Sequence, residues 1–376
     1  VSVGAETRRS IAGISKFAAD SFTYHSPLLR VKQAMNDIAA ELQKRDIEYL
    51  IPVTDVSLFP VLQYRDQLFS NIQVPYPHLS TVLQASDKYF LFQLAQECGV
   101  PIPKTIFIDQ LSQPAAILAK IDRFPLVVKP ARSLFIENNH LLRAGVSYVY
   151  SKEQLLQLME LKGYLQRYPF LIQERVVGTG IGYFVLLHEG KPVAEFSHRR
   201  IREKPPCGGI SVYSESLPVA SDVRAYSLRL LRALDWSGVA MVEFKIDKYS
   251  GTPMLMEING RFWGSLQLAI GAGVDFPHLL VRMTSNETDA GSEIPYELHR
   301  RWRWLLGDLD HLLLRCLKSD EALDLPPGHP SRVETLYNFL SGFRHRDTLY
   351  DVFSTADMQP FVFEFCSYIR QLFRSN

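Results

Sequence analysis

Two neighbouring apolar segments of this chain carry carboxylates where carboxylates are costly, and no other feature limits its fold and chemistry as much. Val239-Ala-Met-Val-Glu-Phe-Lys-Ile-Asp reads as a strand and Lys248-Tyr-Ser-Gly-Thr-Pro as a turn, with Gly251 suited to positive φ. Met254-Leu-Met-Glu-Ile-Asn reads as the return strand, so an antiparallel hairpin is expected. Side chains alternate along a strand. Glu243, Lys245 and Asp247 therefore share one face, and Glu257, Asn259 and Arg261 share one face of the partner if that strand continues. Carboxylates among Val, Phe, Ile and Met must be paired or hold a cation. Two readings follow. The first is internal pairing, Glu243 with Lys245 or Glu257 with Arg261. The second is a Mg²⁺ site, in which two carboxylates and one amide oxygen supply hard ligands and substrate phosphates and water complete the shell.

Upstream signals are modest one by one. Lys129 closes the apolar strand Leu126-Val-Val-Lys and calls for a nearby anion, whereas a surface-facing Lys is the plainer alternative. Lys88 opens a helix that Ser86 or Asp87 caps and that Gly99 and Pro101 end. Phe170-Leu-Ile-Gln-Glu-Arg-Val-Val-Gly is a strand running into a loop whose backbone could face a flat heterocycle. Gly178, Gly180 and Gly182 precede a strand, Tyr183–Leu187, instead of a helix, which rejects a dinucleotide fingerprint. The basic run from His198 to Cys207, followed by Gly208-Gly209, suits an anionic ligand or simply solvent. His299-Arg-Arg-Trp-Arg-Trp is read as a helix with Trp302 packed inward.

The remaining sequence bounds the class. The chain has 376 residues, and 41 Lys and Arg against 40 Asp and Glu leave a net charge of +1, which gives no reason to expect nucleic acid or an anionic membrane as partner. The four cysteines, 98, 207, 316 and 366, have no metal-site or disulfide-scaffold spacing, and a reducing, cytoplasmic setting is expected. The longest charge-free stretch, Gln67 to Ser86, is too polar to span a bilayer, and no secretory signal opens the chain at Val1. Near the N-terminus, Val1–Ala5 reads as a strand, Pro27–Lys44 as a helix and Tyr49–Val53 as a buried strand with Thr54-Asp55 at its end. This is an α/β unit short of a leading strand and helix. Lys152–Leu161 reads as a helix, and the last ninety or so residues read as mostly helical, with Leu305, Leu309, Leu312, Leu313 and Cys316 on one buried face.

Taken in order, these features resemble the ATP-grasp superfamily, and within it the carbamoyl-phosphate-synthase-like, carboxylate–amine ligase branch. The phrases Val-Val-Lys-Pro-Ala-Arg-Ser, Gly-Val-Ala-Met-Val-Glu-Phe and Met-Glu-Ile-Asn-Gly-Arg-Phe-Trp-Gly-Ser carry the likeness, which covers about residues 1–285. It implies an α/β and α+β architecture. A truncated Rossmann-like N-terminal domain would span 1–85, and a linker helix with a small lid 86–175. A C-terminal lobe would span 176–285, and a helical extension 286–376. It implies that Lys88 and Lys129 hold ATP phosphates and that Glu174, Val176 and Val177 frame adenine. Glu243, Glu257 and Asn259 would bind one or two Mg²⁺, with Mn²⁺ as the alternative. Arg261 would face the transferred phosphoryl group, with Arg200 and His198 in the same pocket. The implied reaction joins a small carboxylate to an amine, an amino acid by analogy, through an acyl phosphate, in a homodimer. A kinase, a carboxylase or a non-catalytic nucleotide module are the alternatives, and no biotin-attachment Met-Lys-Met is present. The sequence departs from the family in the stretch Ala131 to Arg143, which has no glycine where a glycine-rich phosphate lid is usual. It also departs in lacking an evident ribose-binding acid after the hinge, and in Gly260 after Asn259, where many relatives have Pro.

Overall fold

The protein, described here by a computed structural model over residues 1–111, 114–137, 140–285 and 294–374, is built around two sheets of different size. Short parallel strands β1 (Ser2–Ala5) and β2 (Asp20–Thr23) begin the chain. The helix expected from Pro27 starts at Val31 and runs to Lys44, burying Val31, Met35, Ile38 and Leu42. Tyr49–Val53 is not a strand. It makes one parallel bridge, Tyr49 to Gln73, and Pro52 has no N–H to extend a ladder. Thr54 instead caps a helix over Asp55–Gln63.

The smaller sheet has the order β3 (Thr105–Ile108), β8 (Phe170–Glu174), β4 (Leu126–Pro130), β7 (Ser147–Val149), and all its pairings are antiparallel. Between β4 and β7 the Gly-poor stretch forms a separate hairpin, β5 (Leu134–Glu137) with β6 (His140–Arg143). The helix over Lys152–Leu161, capped by Ser151, buries Leu155 and Met159 beneath the smaller sheet.

After the hinge the chain enters the seven-stranded sheet, which runs β13, β12, β9, β10, β11, β14, β15. Its strands are β9 (Gly178–His188), β10 (Lys191–Lys204), β11 (Ile210–Leu217), β12 (Gly238–Asp247), β13 (Pro253–Asn259), β14 (Arg301–Arg303) and β15 (Thr348–Tyr350). The expected hairpin is present, and a register shift after Glu243 sets Glu243 directly opposite Glu257. Two expectations change here. Gly178, Gly180 and Gly182 lie inside β9, not in a loop before it. At Gly178 a Cβ would fall 1.8 Å from the Ile246 carbonyl oxygen, so the close strand approach demands glycine. Arg301-Trp-Arg is a strand, not a helix. Its alternation of charge and aromatic is the period of two, and Trp302 is buried as expected.

The C-terminal region thus adds two strands to the main sheet as well as helices. Its Leu305–Leu317 helix does not bury the stripe expected of it. Leu312 is buried but Cys316 is exposed, and the core-facing positions include Asp308 and Arg315. The sheet decides this, because Arg202 of β10 and Arg303 of β14 both donate to the fully buried Asp308 carboxylate. The Asp308→Asn substitution leaves two guanidinium groups around a neutral amide. It is expected to destabilise the fold by about 3–5 kcal/mol, read as a lowered urea midpoint with unchanged slope.

Candidate active site

The two sheets enclose a cleft of about 1400 Å³, larger than a single small-molecule site needs. Ten of the eleven residues singled out from the sequence line it: Lys88, Lys129, Glu174, Val176, His198, Arg200, Glu243, Glu257, Asn259 and Arg261. Val177 does not. Its carbonyl accepts from the Lys248 N–H at 2.8 Å, and the Glu174 N–H donates to the Lys104 carbonyl at 3.0 Å. Val176, between them, makes no backbone hydrogen bond among the described residues, and neither does Arg175, so both hinge positions have backbone groups to offer. The Glu174 carboxylate is held by Arg123 Nε at 3.0 Å.

The floor is a ring of alternating charge. Glu243 and Glu257 face each other across β12 and β13. Arg200, on β10, donates to Glu243, to Glu203 Oε1 at 2.8 Å and to the Gly209 carbonyl at 2.8 Å. Gly180, near Arg200 on β9, leaves the room that the arginine stem occupies, since a Cβ there would come within 3.0 Å of its Cδ. Lys88 Nζ lies 3.3 Å from Glu257 Oε2, at the start of the Lys88–Glu97 helix that Asp87 caps. The pairs expected from sequence neighbours, Glu243 with Lys245 and Glu257 with Arg261, are replaced by partners from other elements.

Environment separates the two acids. Burial, only partly offset by Arg200 and reinforced by the facing Glu257, pushes Glu243 up to about 7. Burial would raise Glu257 too, but the Lys88 ammonium and the Asn259 amide, whose Nδ2 donates to Oε1 at 2.9 Å, hold it down to about 2. Lys129, on β4 above them, is pushed down to about 8 by burial and then by Lys88. It sits 5.6 Å from the Phe92 ring.

Asn259 ends β13, so Arg261 is not on the strand face. Its guanidinium is held in a two-point pair by Asp55, with Nε to Oδ1 at 2.9 Å and Nη2 to Oδ2 at 3.0 Å. Asp55, on the first turn of a helix in the N-terminal region, is the partner of Arg261 to which sequence reasoning assigned no role. Its signal was its place directly after an apolar segment. His198 is 1 % exposed, stacks on Phe184 and shares a hydrogen bond with Ser265 Oγ at 2.7 Å. The hairpin β5–β6, at the place of the usual glycine-rich lid, contributes no described residue to the cleft wall. Residues of the Lys204–Gly209 turn line it instead.

Glu243, Glu257 and Asn259 bring together hard oxygens of the kind Mg²⁺ takes, with Arg200 and Lys88 supplying the positive charge beside the two carboxylates. Among the described residues no group of three or more His, Cys, Asp and Glu is placed to hold a metal ion.

A sequence profile of the family described as "ATP-grasp in the biosynthetic pathway with Ter operon" matches residues 195–304. The carbamoyl phosphate synthase large chain of Methanosphaerula palustris is 24% identical over 209 residues, which are 53% of this chain and 19% of that one. The D-alanine–D-alanine ligase of a Thermoanaerobacter species is 26% identical over 209 residues, 51% of this chain and 56% of that protein. The chain therefore spans about half or less of the curated relatives it matches. Among solved structures, an L-amino acid ligase from Bacillus licheniformis superposes with TM-score 0.58 at 15% identity, over 80% of this chain and 72% of that one. A biotin carboxylase from Campylobacter jejuni gives TM-score 0.59 at 16% identity, over 80% and 68%. The protein has the ATP-grasp fold, and its residues 195–304 match an ATP-grasp family profile. Among the described residues no helix is long and apolar enough to cross a membrane.

One consequence is measurable without any substrate. Burial, aided by the Arg200 guanidinium, holds His198 down to about 3 against an ordinary value of 6.5. Between these values the unfolded chain binds the proton and the folded chain does not, so stability is lost as pH falls from about 6.5 to about 3. The His198→Gln substitution is expected to flatten this acid limb by up to about 1.4 kcal/mol per pH unit, read from urea midpoints across the window.

Proposed function

We propose that the protein is an ATP-dependent carboxylate–amine ligase with ATP held in the cleft between the two sheets. The observation that carries this reading is the ring of alternating charge, with Glu243 facing Glu257, Arg200 and Lys88 paired to them, and Lys129 above. A nucleotide triphosphate with its metal brings both signs of charge and can re-pair the whole set. Its phosphate oxygens meet Lys88, Lys129 and Arg200, and Glu243, Glu257 and Asn259 hold one or two Mg²⁺. When bound, Mg²⁺ withdraws charge that develops on the phosphate oxygens. Adenine lies against the hinge, where Val176 offers its backbone.

In this reading a substrate carboxylate oxygen attacks the γ-phosphorus and ADP leaves, giving an acyl phosphate. An amine then attacks the acyl carbon, phosphate leaves, and an amide forms with loss of the amine proton. Arg261 orients the transferred group, and Asp55 holds Arg261 at two points so that little ordering is left to do during reaction. The L-amino acid ligase and D-alanine ligase similarities support small amino-acid-like substrates.

The test is an ADP-release screen over carboxylate–amine pairs. Mg²⁺-dependent release of ADP and phosphate, with a product lighter than its substrates by one water, is expected. The Glu257→Gln variant should lose about a hundredfold or more of that rate. A parent-like rate would remove the metal assignment, and a phosphorylated product without free phosphate would make the protein a kinase. Asp55→Asn is expected to lower the turnover rate about tenfold while ADP affinity, measured by calorimetry, stays unchanged.

A further inference from the structure

The cleft does not stop at the nucleotide-sized region, and the sheet register shows what lies at its far end. Residues directly opposite each other on paired strands share a sheet face. Glu243 is opposite Gly182, which is opposite His198, so the acid of β12 and the histidine of β10 face the same way. One row further along, Arg200 is opposite Ser214, Ser214 opposite Trp302, and Trp302 opposite Leu349. Trp304 follows the end of β14 and Asp351 the end of β15, and both line the cleft beside Trp302. Trp302 is thus two strand spacings, about 10 Å, from Arg200. Trp302, Trp304, Asp351 and Glu364 all line the same cleft.

These four residues are joined in two pairs. Trp302 Nε1 donates to Asp351 Oδ1 at 3.0 Å, and Trp304 Nε1 donates to Glu364 Oε1 at 2.7 Å. Each carboxylate is thereby fixed by an indole and keeps a second oxygen. Neither has a cationic partner among the described residues. The one ammonium nearby, Lys204, is committed to Asp310 and lies 5.3 Å from the Trp304 ring centre. The two acids also feel each other, since burial and then Glu364 hold Asp351 up at about 6. Trp263, elsewhere on the cleft lining, is 6 % exposed and its indole N–H has no partner, so the cleft also offers a donor awaiting an acceptor. Carboxylate oxygens with no ion-pair partner among the described residues, each held in place by an indole N–H, make a lining for a small molecule that carries a protonated amine.

We propose that Trp302, Trp304, Asp351 and Glu364 form the recognition subsite for the ammonium group of an amino-acid-like substrate. This rests on the ligase reading only for the substrate's role in the reaction, because binding at the subsite requires no turnover. The C-terminal strands β14 and β15 therefore select the substrate, while β10, β12 and β13 handle the nucleotide. The carboxylates recognise the charged amine and do not take part in bond making.

The experiment uses the full chain with ADP and Mg²⁺ present, and reads tryptophan fluorescence during titration with L-lysine. Hexanoate, which has the same chain length and no ammonium group, is the control. Asp351→Asn with Glu364→Gln keeps both oxygen acceptors for the indoles and removes both charges. A saturable response to lysine, none to hexanoate, and at least about tenfold weaker lysine binding in the double variant are expected, with ADP affinity within about twofold as the check of folding. Glu364→Gln alone, at the less buried pair, should give part of the same loss. Hexanoate binding as tightly as lysine, lysine binding equal in parent and variant, or no lysine response up to about 50 mM each overturns the subsite. ADP release is scored separately, so a failed ligase reaction with intact lysine binding removes the activity and leaves the subsite standing.

Discussion

Two like charges set face to face govern the centre of this molecule. Glu243 and Glu257 are neighbours across β12 and β13, each in an apolar strand, and neither could remain ionised alone. The structure answers with cations from outside the ribbon, Arg200 from β10 of the same sheet and Lys88 from a helix start. The ribbon, the main sheet and the linker helix are thereby drawn to one point, directly beneath the hinge between the two sheets. Lys129 adds a buried ammonium with no ion pair among the described residues, which leaves the ring open to further negative charge.

The alternation of side chains separates chemistry from stability on the same strands. His198 and Arg200 of β10 face the cleft, as do Trp302 and Trp304 at β14. Arg199 of β10 and Arg301 and Arg303 of β14 face away, where Glu215 and Asp308 hold them. A register shift in β10 after Arg200 turns Arg202 to join that second set. One bulge thus lets a run of four cationic and apolar residues serve two faces.

Much of the candidate site was legible in short windows of sequence, because period-two alternation and helix capping are local. The hairpin and the Lys88 helix with its Asp87 cap follow from such windows, whereas Trp302 is buried as expected but on a strand where a helix was expected. Elements that depend on distant partners were not legible. Tyr49–Val53 has strand composition but finds only a single bridge, and Arg301–Arg303 becomes a strand because β11 and β15 lie on either side of it. The buried face of the Leu305–Leu317 helix was misjudged since hydropathy counts Asp308 as polar, while two arginines make it a core residue.

The order of its residues determined that this chain needs a cation-rich pocket around an acidic β-ribbon, since a carboxylate in an apolar strand is costly wherever the strand ends up. Tertiary structure alone decided which cations serve. Arg200 reaches Glu243 across 43 positions of sequence and Asp55 holds Arg261 across 206, and such pairings arise from sheet order and helix docking, which no local pattern encodes.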